Sequence, residues 1–146
     1  MIPASKRVLA IDYGVRWLGL AWSDPSLTIV AGSRTIDRKK THVPVTELIS
    51  DVVCEIGIGS IVVGMPYNMD GSAGSKARET QSFIDLLREK LDIPIYHWDE
   101  RLTTVRAEEE LKKLGGRKRK GMLDEMSASY ILEAFLNRSP DTQDIS

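Results

Sequence analysis

Three short apolar runs, Val8–Ile11, Leu18–Trp22 and Thr28–Thr35, crowd together near the start of the chain. Turn-forming residues separate them: Tyr13-Gly14, Asp24-Pro25 and an expected break around Gly32-Ser33. Runs too short for a helix, with so little chain between them, predict a three-stranded meander. The pattern then changes period. After a polar connection from Arg38 to His42, apolar residues recur every three or four positions from Val43 to Ile56 (Val45, Leu48, Ile49, Val52, Ile56). That spacing predicts a helix, stopped by Gly57, with a turn over Gly57-Ile58-Gly59.

Ile61-Val62-Val63 reads as a buried strand, and Gly64 to Gly74 as a long loop rich in turn residues. Ala77, Thr80, Ile84, Leu87 and Leu91 trace the apolar face of a second helix. Pro94–Trp98 is a further strand. Thr103 or Thr104 can cap a helix running to Leu114, and a last helix spans about Met122 to Asn137. The order βββαβαβαα predicts an α/β fold, a mixed five-stranded sheet with helices on both faces. One domain over residues 1–138 and a polar tail over 139–146 account for the 146 residues.

With 42% hydrophobic and 28% charged residues, the chain can bury a core and resembles an ordinary soluble protein. The opening Met-Ile-Pro-Ala-Ser-Lys-Arg lacks the apolar stretch of a signal peptide, and no run approaches a membrane span. A cytoplasmic location without a membrane partner is expected. Cys54 is the only cysteine, so no internal disulfide can form, and it reads as a small core residue.

Charge is unevenly spread. The net is −1, yet Lys112, Lys113, Arg117, Lys118, Arg119 and Lys120 place six basic residues in nine positions. The remainder holds 14 basic against 21 acidic residues. A local positive patch on an acidic body suits a phosphate backbone. Gly115, Gly116 and Gly121 bracket the run and are equally consistent with a solvated loop.

Acids mark the other chemistry. Asp12 ends the first apolar run, where an ionised carboxylate is costly unless it is paired or binds metal. Asp followed closely by Gly is also common turn chemistry, so this segment alone leaves both readings open. Asp99 and Glu100 lie just beyond the last strand. If strands one, four and five are parallel, Asp12 and Glu100 share the carboxyl rim, where sites form in such sheets. Asp124 falls in the first turn of the final helix, where an acid also complements the helix dipole. Acids without a His or Cys cluster point to a hard cation, Mg²⁺ or Mn²⁺, and to metal-assisted phosphodiester hydrolysis. The only histidines are His42, in a polar connection, and His97, in a strand, so a zinc site or a Ser-His-Asp triad finds little support.

Four ordered blocks then carry a resemblance over about Val8 to Leu136. They are Asp12-Tyr13-Gly14-Val15-Arg16-Trp17-Leu18-Gly19-Leu20-Ala21-Trp22-Ser23-Asp24, Val63-Gly64-Met65-Pro66-Tyr67-Asn68-Met69-Asp70-Gly71, Asp99-Glu100-Arg101-Leu102-Thr103-Thr104 and Leu123-Asp124-Glu125-Met126-Ser127-Ala128. Together they resemble the YqgF family, Holliday-junction-resolvase-like nucleases of pre-16S rRNA. The resemblance implies a ribonuclease H-like fold and a metal-dependent nuclease acting in ribosome biogenesis. By the family pattern, Asp12, Glu100 and Asp124 carry over as metal-binding, catalytic acids. Arg101 and Thr103-Thr104 follow the motif and either position phosphate or cap the next helix. Ser127 stands where many relatives have alanine, a departure that changes packing little.

The residues expected to hold nucleic acid are Arg16, Arg101, Lys112, Lys113, Arg117, Lys118, Arg119 and Lys120. The leading reading is 5′-end maturation of pre-16S rRNA, with structured RNA as partner. A DNA enzyme cutting four-way junctions shares the fold and metals, and would suit a homodimer where an RNA trimming enzyme could be a monomer. A non-catalytic nucleic-acid-binding or transcription-associated factor is disfavoured by the presence of all three carboxylates. An actin-like ATPase would need a second lobe that 146 residues cannot supply.

Overall fold

The computed structural model describes residues 7–102 and 120–138, with the side chains given for 7–101 and 127–138. Three strands, β1 (Arg7–Tyr13), β2 (Trp17–Ser23) and β3 (Val30–Asp37), form the expected antiparallel meander. A 3₁₀ turn (Arg38–Lys40) leads to α1 (Val45–Ile56), followed by β4 (Ile58–Met65), α2 (Ser75–Lys90) and β5 (Ile95–Asp99). Glu100–Leu102 forms a second 3₁₀ turn, and α3 (Lys120–Leu136) ends the described fold. The sheet order is β3-β2-β1-β4-β5, with β1, β4 and β5 mutually parallel. The expected helix from Thr103 or Thr104 to Leu114 and the tail over 139–146 lie outside the described residues.

Alternation along the strands feeds two cores. Leu9 and Ile11 of β1, Leu18 and Leu20 of β2, and Ile61 and Val63 of β4 pack with Ile49 and Val52 of α1 and with Phe83, Ile84 and Leu87 of α2. Val8, Ala10, Ala21, Val62 and Trp98 pack on the other face with Ala128, Ile131, Leu132 and Phe135 of α3. Helices therefore cover both faces of the sheet, the arrangement that buries its parallel part. No described helix is long and apolar enough to cross a membrane.

Several local expectations are corrected. Gly32-Ser33 does not break β3: Gly32 pairs with Trp22, and a Cβ there would lie 2.5 Å from the Trp22 indole. The glycine makes room for a ring lying over the strand. Strand β3 starts at Val30, later than expected, because the Asp24 carboxylate accepts the Thr28 and Ile29 N–H groups and holds them in a loop. Helix α1 begins at Val45, after Pro44, and ends at Gly57 in the left-handed region (φ 81°). No separate turn follows, since Ile58 and Gly59 already belong to β4, which runs on through Gly64 to Met65. Cys54 is exposed rather than in the core. It lies two positions past buried Val52, on the helix side that carries exposed Asp51 and Glu55.

Candidate active site

Asp12 is the penultimate residue of β1, opposite Gly19 of β2. Strand alternation gives it the same parity as Val8 and Ala10, the residues facing α3. The hairpin behind it is tight: a Cβ on Gly14 would meet the Trp17 carbonyl oxygen at 2.5 Å. Arg38 braces this turn from the end of β3. Its Nη1 donates to the Gly14 carbonyl at 2.5 Å, and its guanidinium lies over the Tyr13 ring at 4.9 Å. Tyr13 is fixed from the other side by stacking on Phe83, with centroids 4.2 Å apart.

Glu100 is the first residue after β5. Strands β1 and β5 are separated by β4, so their ends start roughly 10 Å apart, two strand spacings. Gly64 of β4 lets the Glu100 side chain lie across that gap. A Cβ on Gly64 would fall 2.6 Å from Glu100 Oε2 and 2.8 Å from its Cγ, and 2.6 Å from Ile131 Cδ1 of α3. Asp12 and Glu100, both partly buried, line one cavity of about 100 Å³ at the carboxyl rim. Pro66, at the exit of β4, and Lys76, Glu79 and Thr80, from α2, complete its wall with Tyr13, Gly14 and Val15.

Arg101 braces the rim beside Glu100. Its guanidinium holds Asp99 in a fork, with Nε–Oδ1 at 3.0 Å and Nη2–Oδ2 at 2.6 Å. This hydrogen-bonded pairing keeps the Asp99 carboxyl below its ordinary range. Nη1 donates to the Met69 carbonyl at 3.2 Å, tying the loop after β4 to the end of β5. About a third of the Arg101 side chain remains exposed. Arg16 pairs in the same two-pronged way with Asp37, at 3.2 Å for each bond, and lies over the Trp17 ring.

Asp124 lies in the first half of α3. Its side chain is outside the described set, as is that of Lys120, the first residue of α3. Lys112, Lys113, Arg117, Lys118 and Arg119 also lie outside the described residues, with Thr103 and Thr104. Among the described residues no group of three or more His, Cys, Asp or Glu side chains is arranged to hold a metal. The described acids that line the cavity are Asp12, Glu79 and Glu100. Lys76 and Glu79 were missed by the sequence reading, which took α2 only by its apolar face. Their signal was positional: three residues apart, in the first turns of a helix that starts from the rim.

A protein-family model described as "RuvX: Holliday junction resolvase" matches residues 6–138. The chain belongs to this family. Curated relatives agree over nearly their whole length. A protein of Halothermothrix orenii is 42% identical over 90% of this chain and 94% of its own, and one of Acetivibrio thermocellus is 42% identical over 90% and 95%. One of Roseobacter denitrificans is 36% identical over 94% of this chain and 86% of its own. All three are named "Putative pre-16S rRNA nuclease". Among solved structures, Thermus thermophilus RuvC in complex with a Holliday junction substrate superposes with a TM-score of 0.55 at 11% identity, over 90% of this chain and 96% of that one. At that identity the likeness speaks for the fold alone, which is ribonuclease H-like.

Proposed function

We propose that this chain is a metal-dependent endonuclease that hydrolyses phosphodiester bonds in the 5′-end maturation of pre-16S rRNA, in the cytoplasm. The observation that carries the reading is the meeting of Asp12 and Glu100 in one rim cavity, in a chain whose curated relatives share the name of pre-16S rRNA nuclease. The donor set fits a hard divalent cation: the cavity offers carboxylate oxygens and contains neither His nor Cys. Asp12 and Glu100, with Asp124 as the third acid, would hold Mg²⁺ or Mn²⁺. Such a cation, when bound, lowers the pKa of an attacking water and neutralises charge on the leaving oxygen.

The chain's own groups supply the remainder. Lys76 brings three N–H donors into the cavity wall for a non-bridging phosphate oxygen. Arg101, committed to Asp99 and the Met69 carbonyl, holds the neighbouring loop in place and keeps its exposed edge for the backbone of the substrate. Arg16 and the basic run Lys112 to Lys120 extend phosphate contact away from the cavity.

Depletion of the protein in its own organism, followed by sizing of 16S rRNA 5′ ends, tests the reading. Accumulation of 5′-extended precursor is the expected result. Normal ends together with unresolved four-way DNA junctions would overturn it in favour of the junction resolvase that the family description names.

A further inference from the structure

Beside the acid cavity lies a larger groove of about 570 Å³, between the β1–β2 hairpin and the surfaces of α1 and α2. Its walls are apolar where a surface would ordinarily be polar. Val15 is 76% exposed and Leu86 54% exposed, and they line the groove together with the less exposed Tyr13, Val45 and Phe83. Exposed apolar groups gathered in one concavity mark a binding surface rather than scattered surface residues. Tyr13 is held in this lining by Phe83 and the Arg38 guanidinium.

Two further observations identify the occupant. The groove and the acid cavity are adjacent, with Tyr13, Val15 and Glu79 lining both. Its edge is also basic: Arg38 lines it, and Lys39 and Lys40, both exposed, follow in the same 3₁₀ turn. We infer that this groove takes one unpaired nucleotide of the substrate strand, next to the phosphate that is cut. The base lies on Val15, Val45 and Leu86, its edge meets the Thr46 and Ser82 hydroxyls, and its flanking phosphate meets Arg38 to Lys40. A base stacked within a duplex cannot enter such a groove, so the substrate class is RNA that is single-stranded or splayed at the cleavage point. An aliphatic protein side chain would suit the apolar wall, but it would leave the basic edge and the adjacent acids without a role.

This inference rests on the nuclease reading for its substrate, so its test measures binding with chelator present, where cleavage plays no part. The probes are a single-stranded RNA oligonucleotide, the same strand with one abasic site moved along it, and its fully paired duplex. For the wild-type chain, one abasic position is expected to weaken binding about tenfold, within the range for loss of one stacked base. The double variant Val15→Gln/Leu86→Gln is expected to lose about the same factor on the intact strand, and nothing more when that base is also removed. Duplex affinity should stay within twofold of wild type. Thermal melts accompany each variant, and the two single substitutions replace the double one if it melts early. Wild-type affinity of the variants for the intact strand overturns the inference, as does equal loss on the duplex or failure of the wild-type chain to bind any of the three probes. Wild-type protein that cuts no RNA with saturating Mg²⁺ would count against the nuclease reading and leave the binding result standing.

Discussion

Gly64→Ala adds one methyl group between Glu100, which lines the cavity, and Ile131 of the core behind it. The new Cβ would sit 2.6 Å from Glu100 Oε2, 2.6 Å from Ile131 Cδ1 and 2.8 Å from Glu100 Cγ. Carbon contacts settle at about 3.5–4.0 Å, so the methyl intrudes by roughly 1 Å on both neighbours. Ile131 is buried in the core beneath α3, whereas Glu100 lies at the cavity, and the carboxylate is therefore the group that gives way. Overpacking of this kind costs about 1–3 kcal/mol. For a chain of this size that lowers the melting temperature by roughly 3–10 °C. A shift of about 1 Å in a reacting group can cost about a hundredfold in rate. Single-turnover cleavage of a labelled pre-16S RNA fragment with saturating Mg²⁺, alongside thermal melts, reads both effects. The double variant Gly64→Ala/Ile131→Val separates them: losing Cδ1 removes one clash and should return much of the stability, while Glu100 stays displaced and the rate stays low. Wild-type cleavage by Gly64→Ala, or recovery of rate and stability together in the double variant, would refute the role given to Glu100.

Three more outcomes are expected. Asp12→Asn should bring cleavage to background with an unchanged or higher melting temperature, since it removes one of the like charges gathered at the rim, and added Mg²⁺ should stabilise the wild type but not the variant in a thermal shift assay. The Asp24 carboxyl is held below its ordinary range by the Ile29 N–H, then by the Ser26 hydroxyl and the Thr28 N–H and hydroxyl. Its folded pKa is depressed, so its contribution is fully present above the unfolded value of about 3.9 and is lost as pH falls toward the folded one. The stability gap between wild type and Asp24→Asn should therefore be constant at neutral pH and narrow below about pH 4 in denaturant titrations, with cleavage at neutral pH unaffected. Neutralising Arg117, Lys118, Arg119 and Lys120 should weaken RNA binding for all sequences and reduce the slope of log affinity against log salt by about 0.7–0.9 per lost contact; an unchanged slope would leave these residues as a solvated connector.

The succession of strands and helices was readable because each element carries its own signal. Short apolar runs, the change of period at Val43 and the stop at Gly57 are local features, and the meander followed by crossover strands comes from them. The errors were equally local in origin. Gly32 has the composition of a break, but its meaning depends on Trp22, a partner across the sheet. Cys54 is apolar by type, yet its phase on α1 turns it to solvent.

The candidate site was legible only in part, because it belongs to no single stretch of sequence. Asp12 and Glu100 could be nominated from strand ends, since parallel β1, β4 and β5 send their carboxyl ends to one rim. What brings the two acids toward each other is an absence, the missing side chain of Gly64 on the strand between them. In sequence that glycine looks like the start of a loop, and nothing around it distinguishes a turn former from a passage kept open for Glu100. Lys76 and Glu79 escaped for the opposite reason. They sit on the polar side of an amphipathic helix, where charged residues are the ordinary expectation, and only the placement of the α2 N-terminus at the rim gives them a cavity to face. A residue's type thus announced the acids, whereas the groups that orient and surround them acquire their role from tertiary contact alone.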